Sequence, residues 1–234
     1  MTHNQKKNSI LEDRIGYRFR DPGLLERALT HSSYAAEQGR SYWYNNERLE
    51  FLGDAILDAI VGLRLYELRP DEREGSLSKI RANIVCERSL AGISREVGIG
   101  AFLLLGNGED ASGGRDKDSI LADALEAVIG AILLDGGFEE TKRVVLDLFL
   151  ENIRLAIRGK LFRDYKTELQ EKLQERYRTV AIRYVLTEES GPDHDKQFTV
   201  EVSALDRILG HGTGKSKKEA EQDAARDVLL KGEF

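Results

Sequence analysis

Acidic residues line one face of a predicted helix in the segment Asn45–Leu63. Glu47, Glu50 and Asp54 stand at positions i, i+3 and i+7, which share one side of a helix. Apolar residues beside that line predict a largely buried helix: Leu49, Leu52, Ile56, Ala59, Ile60 and Leu63. An ionised carboxylate in apolar surroundings is strongly disfavoured, so it needs a cation or a raised pKa. The segment is therefore a candidate metal-binding helix.

A second acidic pair follows in the segment Ser119–Gly136, where Asp123 and Glu126 are three residues apart. Its apolar neighbours predict another buried helix: Ile120, Leu121, Leu125, Val128, Ile129, Ile132 and Leu133. If the two helices pack together, the acids can share Mg²⁺, with Mn²⁺ as a substitute, because both ions prefer oxygen ligands. Two such ions about 3.5–4 Å apart can activate a water and stabilise the leaving oxygen in phosphodiester hydrolysis.

Two alternatives to a metal site stay open for these acids. Either pair can belong to a solvated helix face, which is the usual place for acidic residues. The acids can also form a structural ion-pair network, with Arg48 and Arg81 as counter-charges. Both pairs lie in strongly apolar stretches, and this favours the metal site over a solvated face.

Helical patterns account for the sequence up to residue 157. Shorter helices are predicted at Ile10–Gly16 and Ser89–Glu96, and a longer one at Phe138–Ile157. The segment Gly106–Asp118 is rich in glycine and charge, and it predicts a mobile loop. It lacks the spacing of a phosphate-binding P-loop, so no nucleotide cofactor is expected. No convincing strand alternation is present, and the first domain is predicted to be all α.

Several aromatic residues near the acidic helix have alternative roles. Tyr42, Trp43 and Tyr44 are expected to pack against the start of the helix rather than to stack on bases. His31 is expected to be a hydrogen-bonded structural histidine. Phe51 lies off the main apolar stripe, so it is either part of the core or a contact between two subunits.

The pattern changes after a short break at residues 158–162. Tyr165–Arg178 has helical spacing, and Ile182–Thr187, Gln197–Leu205 and Arg207–Gly214 alternate apolar and polar residues as strands do. A final helix is predicted at Lys217–Leu230. The C-terminal part therefore predicts a small α+β domain in the order α-β-β-β-α.

Three lysines, Lys215, Lys217 and Lys218, cluster at the predicted start of the last helix. Cations oppose the helix dipole there, whereas phosphates bind well at a helix N-terminus. This favours an anion-binding role over a solvated helix start. Residues 163–234 hold 13 basic and 15 acidic side chains, a net charge of −2, so any binding of a polyanion depends on where the basic side chains lie.

Composition limits the classes of protein to which the sequence can belong. The formal net charge is −6 for 234 residues, which is not typical of a protein that binds nucleic acid over its whole surface. Cys86 is the only cysteine, so an intrachain disulfide is excluded. No apolar run of transmembrane length and no signal-peptide pattern is present, so the sequence predicts a cytoplasmic protein without a membrane partner.

Four segments together resemble the ribonuclease III family: LTHSSY, NNERLEFLGDAIL, REGSLSKIRANIV and ILADALEAVIGAILLDGG. The C-terminal pattern, with YKTELQE and GKSKKEAEQDAA near its ends, resembles a double-stranded-RNA-binding domain. The resemblance extends from about Ile10 to the C-terminus. It implies a homodimeric endoribonuclease that cuts double-stranded RNA with divalent metal ions, leaving 5′-phosphates and 3′ overhangs.

The resemblance also implies roles for individual residues. It places Glu50, Asp54, Asp123 and Glu126 at the positions of the family's four catalytic acids, and it favours a subunit contact for Phe51. It implies RNA contacts for the following residues: Glu47, Glu74, Gln170, His194, Lys215, Lys217 and Lys218.

The sequence thus predicts an endonuclease domain at residues 1–157, a linker at 158–162 and a double-stranded-RNA-binding domain at 163–234. Glu50, Asp123 and Glu126 are the first choices as metal ligands. Asp54 is assigned to orienting or deprotonating water, and it is also a candidate for a fourth metal ligand. Ribosomal and other structured RNA precursors are the expected substrates. Two alternatives remain: a protein that binds RNA without cutting it, and a ferritin-like di-iron protein, which would require Glu-x-x-His motifs that this chain lacks.

Overall fold

The structure is a computed structural model that describes residues 3–161, 165–191 and 196–232. The chain divides into two compact units, Met1–Phe162 and Arg163–Phe234, and each unit has its own hydrophobic core. Within the described residues the first unit is helical, and the second has three strands between two helices. The predicted fold class is therefore confirmed.

The first unit contains ten α-helices within its described residues. They are α1 (His3–Ile15), α2 (Pro22–Ala28), α3 (Ser32–Glu37), α4 (Glu47–Leu68), α5 (Glu74–Ile84), α6 (Glu87–Val97), α7 (Asn107–Ala111), α8 (Asp118–Gly136), α9 (Phe138–Leu148) and α10 (Leu150–Ile157). Helix α1 begins seven residues before the predicted start at Ile10, in a segment with no proline or glycine to prevent a helix. Two helices, divided at the buried Phe149, replace the single helix predicted at the end of this unit.

Helix α8 forms the centre of the first unit. It is apolar almost all round, and most of its residues from Ile120 to Ile132 are buried. Helix α4 crosses it at very short range, because glycines stand at the crossing point. A Cβ on Gly53 would lie 1.8 Å from the backbone oxygen of Glu126, and a Cβ on Gly130 would lie 2.2 Å from the backbone oxygen of Leu49. Only glycine permits this approach between the two backbones.

The burial of α4 differs from the sequence prediction. Its buried residues are Leu49, Gly53, Leu57, Ile60, Val61 and Leu65. Ala59 and Leu63, which were predicted to be part of the apolar face, are exposed. The helix is therefore half-buried, with one side on α8 and the other in solvent. Gly53 occupies the centre of the buried face, and the predicted apolar stripe missed this because glycine gives no hydrophobic signal.

The segment Gly106–Asp118 is folded, in contrast to the predicted mobile loop. It contains α7 and a 3₁₀ turn at Gly114–Asp116. The Arg115 guanidinium donates hydrogen bonds to the carbonyls of Gly100 and Leu103 at 3.0 and 2.8 Å and also pairs with Asp110. These long-range hydrogen bonds satisfy carbonyls outside the segment, so local composition alone did not reveal them.

The second unit consists of helix α11 (Tyr165–Tyr177), strands β1 (Arg183–Ser190), β2 (Gln197–Ala204) and β3 (Arg207–Gly214), and helix α12 (Lys217–Lys231). The strands form an antiparallel sheet in the order β1-β2-β3. The predicted order of elements is confirmed, and the boundaries differ by no more than three residues.

Glycines also allow the close packing of α12 on β3. Gly210, Gly212 and Gly214 alternate along the strand, and a Cβ on Gly212 would lie 2.0 Å from the backbone nitrogen of Ala224. The carboxylates of Asp223 and Asp227 on α12 accept hydrogen bonds from the backbone N–H groups of β3 residues, both at 3.1 Å. Those N–H groups belong to an edge strand, so the helix satisfies donors that the sheet leaves open.

Candidate active site

Three acidic residues from α4 and α8 lie together where the two helices cross. One carboxylate oxygen from each of Glu50, Asp123 and Glu126 lies within 4.8 Å of the other two, and all three residues are half-buried. The spacing of each acidic group along its helix directs these side chains to the same side of the crossing. Because Gly53 and Gly130 bring the backbones into contact, acids that are far apart in the sequence meet at short distance.

The environment of this acidic cluster opposes the negative charge. Burial, together with the charges of Asp54 and Glu50, raises the pKa of Glu126 from 4.5 to about 8. Burial and the neighbouring charge of Asp123 raise the pKa of Glu50 to about 6. The pKa of Asp123 is also raised, first by burial and then by the charge of Glu87. A cation bound among the three carboxylates would remove this repulsion.

Asp54 lies beside the cluster without joining it. Its side chain is exposed, one helical turn after Glu50 on α4, and its charge contributes to the raised pKa of both Glu50 and Glu126. An exposed carboxylate at this place is accessible to water, whereas the three clustered acids face one another. The structure thus distinguishes Asp54 from the other three predicted acids.

Arginine does not neutralise the cluster. Among the described residues, no ion pair or hydrogen bond joins an arginine to the clustered acids or to Asp54. Arg48 instead lies over the Trp43 ring at 4.9 Å, and Arg81 is 3.6 Å from Asp58. The alternative of a structural ion-pair network, with these two arginines as counter-charges for the acids, is therefore wrong.

The segment that precedes α4 is fixed by backbone hydrogen bonds. Thr30 forms a parallel bridge with Leu104, and its carbonyl accepts a hydrogen bond from the backbone N–H of Asn46 at 2.9 Å. His31 caps α3, since its Nδ1 accepts a hydrogen bond from the backbone N–H of Ser33 at 3.3 Å. A structural role for His31 agrees with the expectation. This anchoring holds the start of the acidic helix in place.

Sequence reasoning missed two kinds of residue at the site. Gly53 and Gly130 set the distance between the helices, and a glycine inside each apolar helical segment is the signal that could have found them. Glu87, the first residue of α6, contributes charge at Asp123, and no spacing pattern in the sequence links the two residues.

Other predicted residues occupy the surface of the first unit. Glu47 and Glu74 are exposed, and Glu74 accepts a hydrogen bond from the Ser78 hydroxyl at 2.8 Å. Phe51 is 78 % exposed, which excludes the core alternative. Trp43 and Tyr44 are more than half exposed. The Trp43 ring contacts the first turn of α4 through Arg48, in agreement with the expected packing against the helix start, whereas the Tyr44 ring lies 5.8 Å from Arg40. The side chain of Tyr42 is outside the part that the structure describes.

Four predicted RNA-binding residues of the second unit are in the described part of the chain, and they lie on or beside its two helices. Lys217 and Lys218 are exposed in the first turn of α12, and Lys215 is exposed just before it. Ser216 caps this helix by accepting a hydrogen bond from the backbone N–H of Glu219 at 3.2 Å. Gln170 is half-buried on α11. His194 lies outside the described residues.

Comparison with known proteins agrees with this architecture. The family described as Ribonuclease-III-like matches residues 21–153, and the double-stranded RNA binding motif matches residues 165–231. Ribonuclease 3 of Caldanaerobacter subterraneus subsp. tengcongensis is 54 % identical over 223 residues, which cover 95 % of this chain and 97 % of that protein. Ribonuclease 3 of Pelotomaculum thermopropionicum is 48 % identical over 234 residues, which cover 100 % and 97 %.

Solved structures agree as well. The nuclease domain of ribonuclease III from Campylobacter jejuni is 47 % identical and superposes with a TM-score of 0.57, covering 62 % of this chain and 94 % of that one. A second structure of this domain, described for structural flexibility in a region involved in dimer formation, is 48 % identical with the same TM-score of 0.57, and covers 61 % and 96 %.

A helical nuclease unit with an acidic cluster, followed by a double-stranded-RNA-binding unit, defines the endoribonucleases that act on duplex RNA. The chain belongs to the ribonuclease III family. It is a double-strand-specific endoribonuclease, and membership of the family implies dependence on a divalent metal ion. The ferritin-like and binding-only alternatives are therefore wrong. No helix in the described part of the chain has the length and apolar character to cross a membrane.

Proposed function

We propose that Glu50, Asp123 and Glu126 bind the divalent metal ion, that the ion is Mg²⁺, and that Mn²⁺ can replace it. The observation that carries this proposal is the cluster of carboxylate oxygens within 4.8 Å of one another. The donor set fits the ion, because hard divalent cations prefer carboxylate oxygens and because burial among neighbouring acids raises the pKa of each. The cluster holds no histidine or cysteine, which would favour softer metals.

The clustered side chains and Asp54 have different roles in hydrolysis. When bound, the ion lowers the pKa of water and stabilises the charge that develops on the phosphate. Asp54 is exposed beside the cluster and orients the attacking water or accepts its proton. The water oxygen forms a bond to phosphorus as the bond to the 3′ oxygen breaks, and that oxygen takes up a proton. The products are a 5′-phosphate and a 3′-hydroxyl.

The active enzyme in this proposal is a homodimer. Phe51 is 78 % exposed on α4, and a large aromatic side chain in that position is unfavourable unless a partner covers it. One acidic cluster per subunit provides one site for each strand of a duplex, and two staggered cuts leave 3′ overhangs. The C. jejuni nuclease domain is described as having a region involved in dimer formation, which supports the same assembly for its relative.

Contacts with RNA complete the proposal. The exposed Lys215, Lys217 and Lys218 bind backbone phosphates at the start of α12, while Gln170 and His194 reach 2′-hydroxyls and minor-groove edges. A domain of this kind reads the shape of the duplex rather than its bases.

Two acids of the first unit are also proposed to face the substrate. Glu47 on α4 and Glu74 on α5 are both exposed, and they line the surface on which the RNA is cut. The functional domains are assigned to residues 1–157 and 163–234, with a linker at 158–162. The proposed location is the cytoplasm, where ribosomal and other structured RNA precursors are the substrates.

A cleavage assay tests the proposal. A long labelled RNA duplex is incubated with the full-length protein, with and without Mg²⁺. The wild type is expected to cut only with Mg²⁺, and Glu126→Gln is expected to bind the duplex but to lose activity by about a thousandfold or more. Asp118→Asn is the matched control, since Asp118 lies on the same helix but pairs with Arg95 at the surface.

The outcome distinguishes the parts of the proposal. If Glu126→Gln cuts as fast as the wild type, the metal-ligand assignment is wrong. If Asp118→Asn loses as much activity as Glu126→Gln, the loss reflects a general effect on α8 and not the acidic cluster.

A further inference from the structure

The Arg81 guanidinium lies beside the line of acids on α4. Its Nε is 3.6 Å from a carboxylate oxygen of Asp58, and its Nη1 would be 3.7 Å from a Cβ on Gly62. Asp58 follows Asp54 by one helical turn, and its charge contributes to the raised pKa of Glu126. Arg81 is therefore a cation beside the acid-bearing helix α4, and it lies outside the proposed set of metal ligands.

The contact between Arg81 and Asp58 is loose. At 3.6 Å it exceeds hydrogen-bonding distance, and each side chain is 42 % exposed. Exposed ion pairs contribute about 0–1 kcal/mol to stability, so this pair adds little to the fold. An arginine held this weakly can exchange its carboxylate partner for another anion.

Arg81 also shares a helix face with a residue proposed to meet the substrate. Glu74, Ser78 and Arg81 stand at i, i+4 and i+7 on α5, and the Ser78 hydroxyl donates a hydrogen bond to Glu74 at 2.8 Å. If Glu74 faces the RNA, Arg81 faces it as well. The stripe leads from Glu74 towards the acids of α4, because Arg81 reaches Asp58.

The acidic surface of α4 needs a cation beside it to bind a negatively charged substrate. Glu47, Glu50, Asp54 and Asp58 follow one another along α4, and a polyanionic backbone that approaches them meets strong repulsion. A metal ion compensates the three clustered acids but leaves the others. Arginine is suited to the remaining task, because its planar guanidinium binds phosphate oxygens in pairs.

We propose that Arg81 is a substrate-binding residue, whose guanidinium exchanges Asp58 for a backbone phosphate of the RNA next to the acidic cluster. The proposal rests on the proposed function, because it places the RNA backbone along α4 and α5. Asp58 then competes with the RNA for the Arg81 guanidinium. Arg81 therefore favours RNA binding, whereas Asp58 opposes it.

Steady-state kinetics of the full-length enzyme on an RNA duplex, over a salt series with Mg²⁺ constant, tests the proposal. Arg81→Gln is expected to raise KM about tenfold with kcat changed less than threefold, and to reduce the slope of log KM against log salt by about one. Asp58→Asn is expected to leave KM unchanged or to lower it about twofold. Arg81→Lys keeps the positive charge but loses the planar guanidinium that binds two oxygens at once. Its KM is expected to lie between those of the wild type and Arg81→Gln.

Arg154→Gln serves as the control, because Arg154 has a similarly loose pair with Glu151 at 3.8 Å and is well exposed on α10. Thermal unfolding of each variant checks the fold. A purely structural pair predicts that Arg81→Gln and Asp58→Asn shift KM in the same direction or not at all, and either result would overturn the proposal. Failure of the proposed function would be recognised by a different result, because the wild type itself would then lack Mg²⁺-dependent cleavage.

Discussion

Gly53 of α4 lies directly against the backbone carbonyl of Glu126 on α8. A Cβ at position 53 would be 1.8 Å from that oxygen, far inside van der Waals contact. The same crossing brings the carboxylates of Glu50 and Glu126 together. The absence of a side chain at one residue therefore determines the geometry of the acidic cluster.

Gly53→Ala is expected to separate α4 from α8. The methyl group meets backbone atoms that cannot rotate away, so we expect a loss of about 1–3 kcal/mol in unfolding free energy and at least a hundredfold loss of cleavage. Denaturant unfolding and cleavage rates measure the two effects. Gly92→Ala is the control, because a Cβ on Gly92 of α6 meets nothing within 4 Å, and it should keep full activity. Equal behaviour of the two variants would contradict the role of the crossing.

The stability of the metal-free protein should fall as pH rises. The pKa of Glu126 is about 8 in the folded protein against 4.5 ordinarily, so between these values the folded state keeps a proton that the unfolded state has released. Unfolding free energy should therefore decrease over this window, by an amount on the order of 2 kcal/mol after allowance for solvent exposure. Thermal unfolding at pH 5.5 and 8.5 in chelator measures the change.

Mg²⁺ should reverse this trend, because an ion bound by ionised carboxylates stabilises the folded state more at pH 8.5 than at pH 5.5. Glu126→Gln supplies the comparison, since it has no carboxyl at position 126 to titrate. Wild type and variant with the same pH dependence in chelator would show that Glu126 titrates as an ordinary exposed glutamate.

Phe51→Ala is expected to weaken the proposed dimer. Removing a side chain that is 78 % exposed in one chain does not disturb the core of that chain, so thermal stability at high dilution should change little. Sedimentation should show dissociation at protein concentrations where the wild type stays dimeric. Leu230→Ala removes an apolar side chain that is 76 % exposed on α12 and should leave the assembly unchanged. A Phe51→Ala variant that sediments as the wild type does would remove this residue from the interface.

Gly212→Ala is expected to disrupt the RNA-binding unit. A Cβ there would lie 2.0 Å from the backbone nitrogen of Ala224, so α12 cannot keep its place on β3 and the lysines before and within its first turn lose their common orientation. We expect at least a tenfold loss of affinity for duplex RNA in a gel-shift assay. Thr213→Ala, at an exposed position on the same strand, should bind normally. Normal binding by Gly212→Ala would contradict the close packing of α12 on β3.

The acids of the site could be predicted from the sequence because charge and helical spacing are local signals. Charge and spacing predict the three acids that the structure brings together, Glu50, Asp123 and Glu126. They also make Asp54 a candidate ligand, and in the structure Asp54 lies beside the cluster without joining it. The order of elements in the second unit is predictable for the same reason, because the alternation of a strand and the start of a helix depend on residues that are adjacent in the sequence.

The errors have a common physical origin in contacts between distant parts of the chain. The apolar face of α4 was wrongly predicted because its centre is Gly53, whose role appears only when α8 is in place. The loop prediction failed because Arg115 bonds to the carbonyls of Gly100 and Leu103.

Calorimetric titration of Mg²⁺ or Mn²⁺ into the metal-stripped enzyme, in two pH 7 buffers of different ionisation enthalpy, tests the central claim most directly. The wild type is expected to bind the ion and to release protons, because Glu126, with a pKa of about 8, must ionise to become a ligand. Glu126→Gln is expected to bind at least tenfold more weakly and to release fewer protons, while Asp118→Asn binds as the wild type does. Equal affinity and equal proton release in wild type and Glu126→Gln would contradict the claim that the clustered carboxylates of α4 and α8 hold the metal ion.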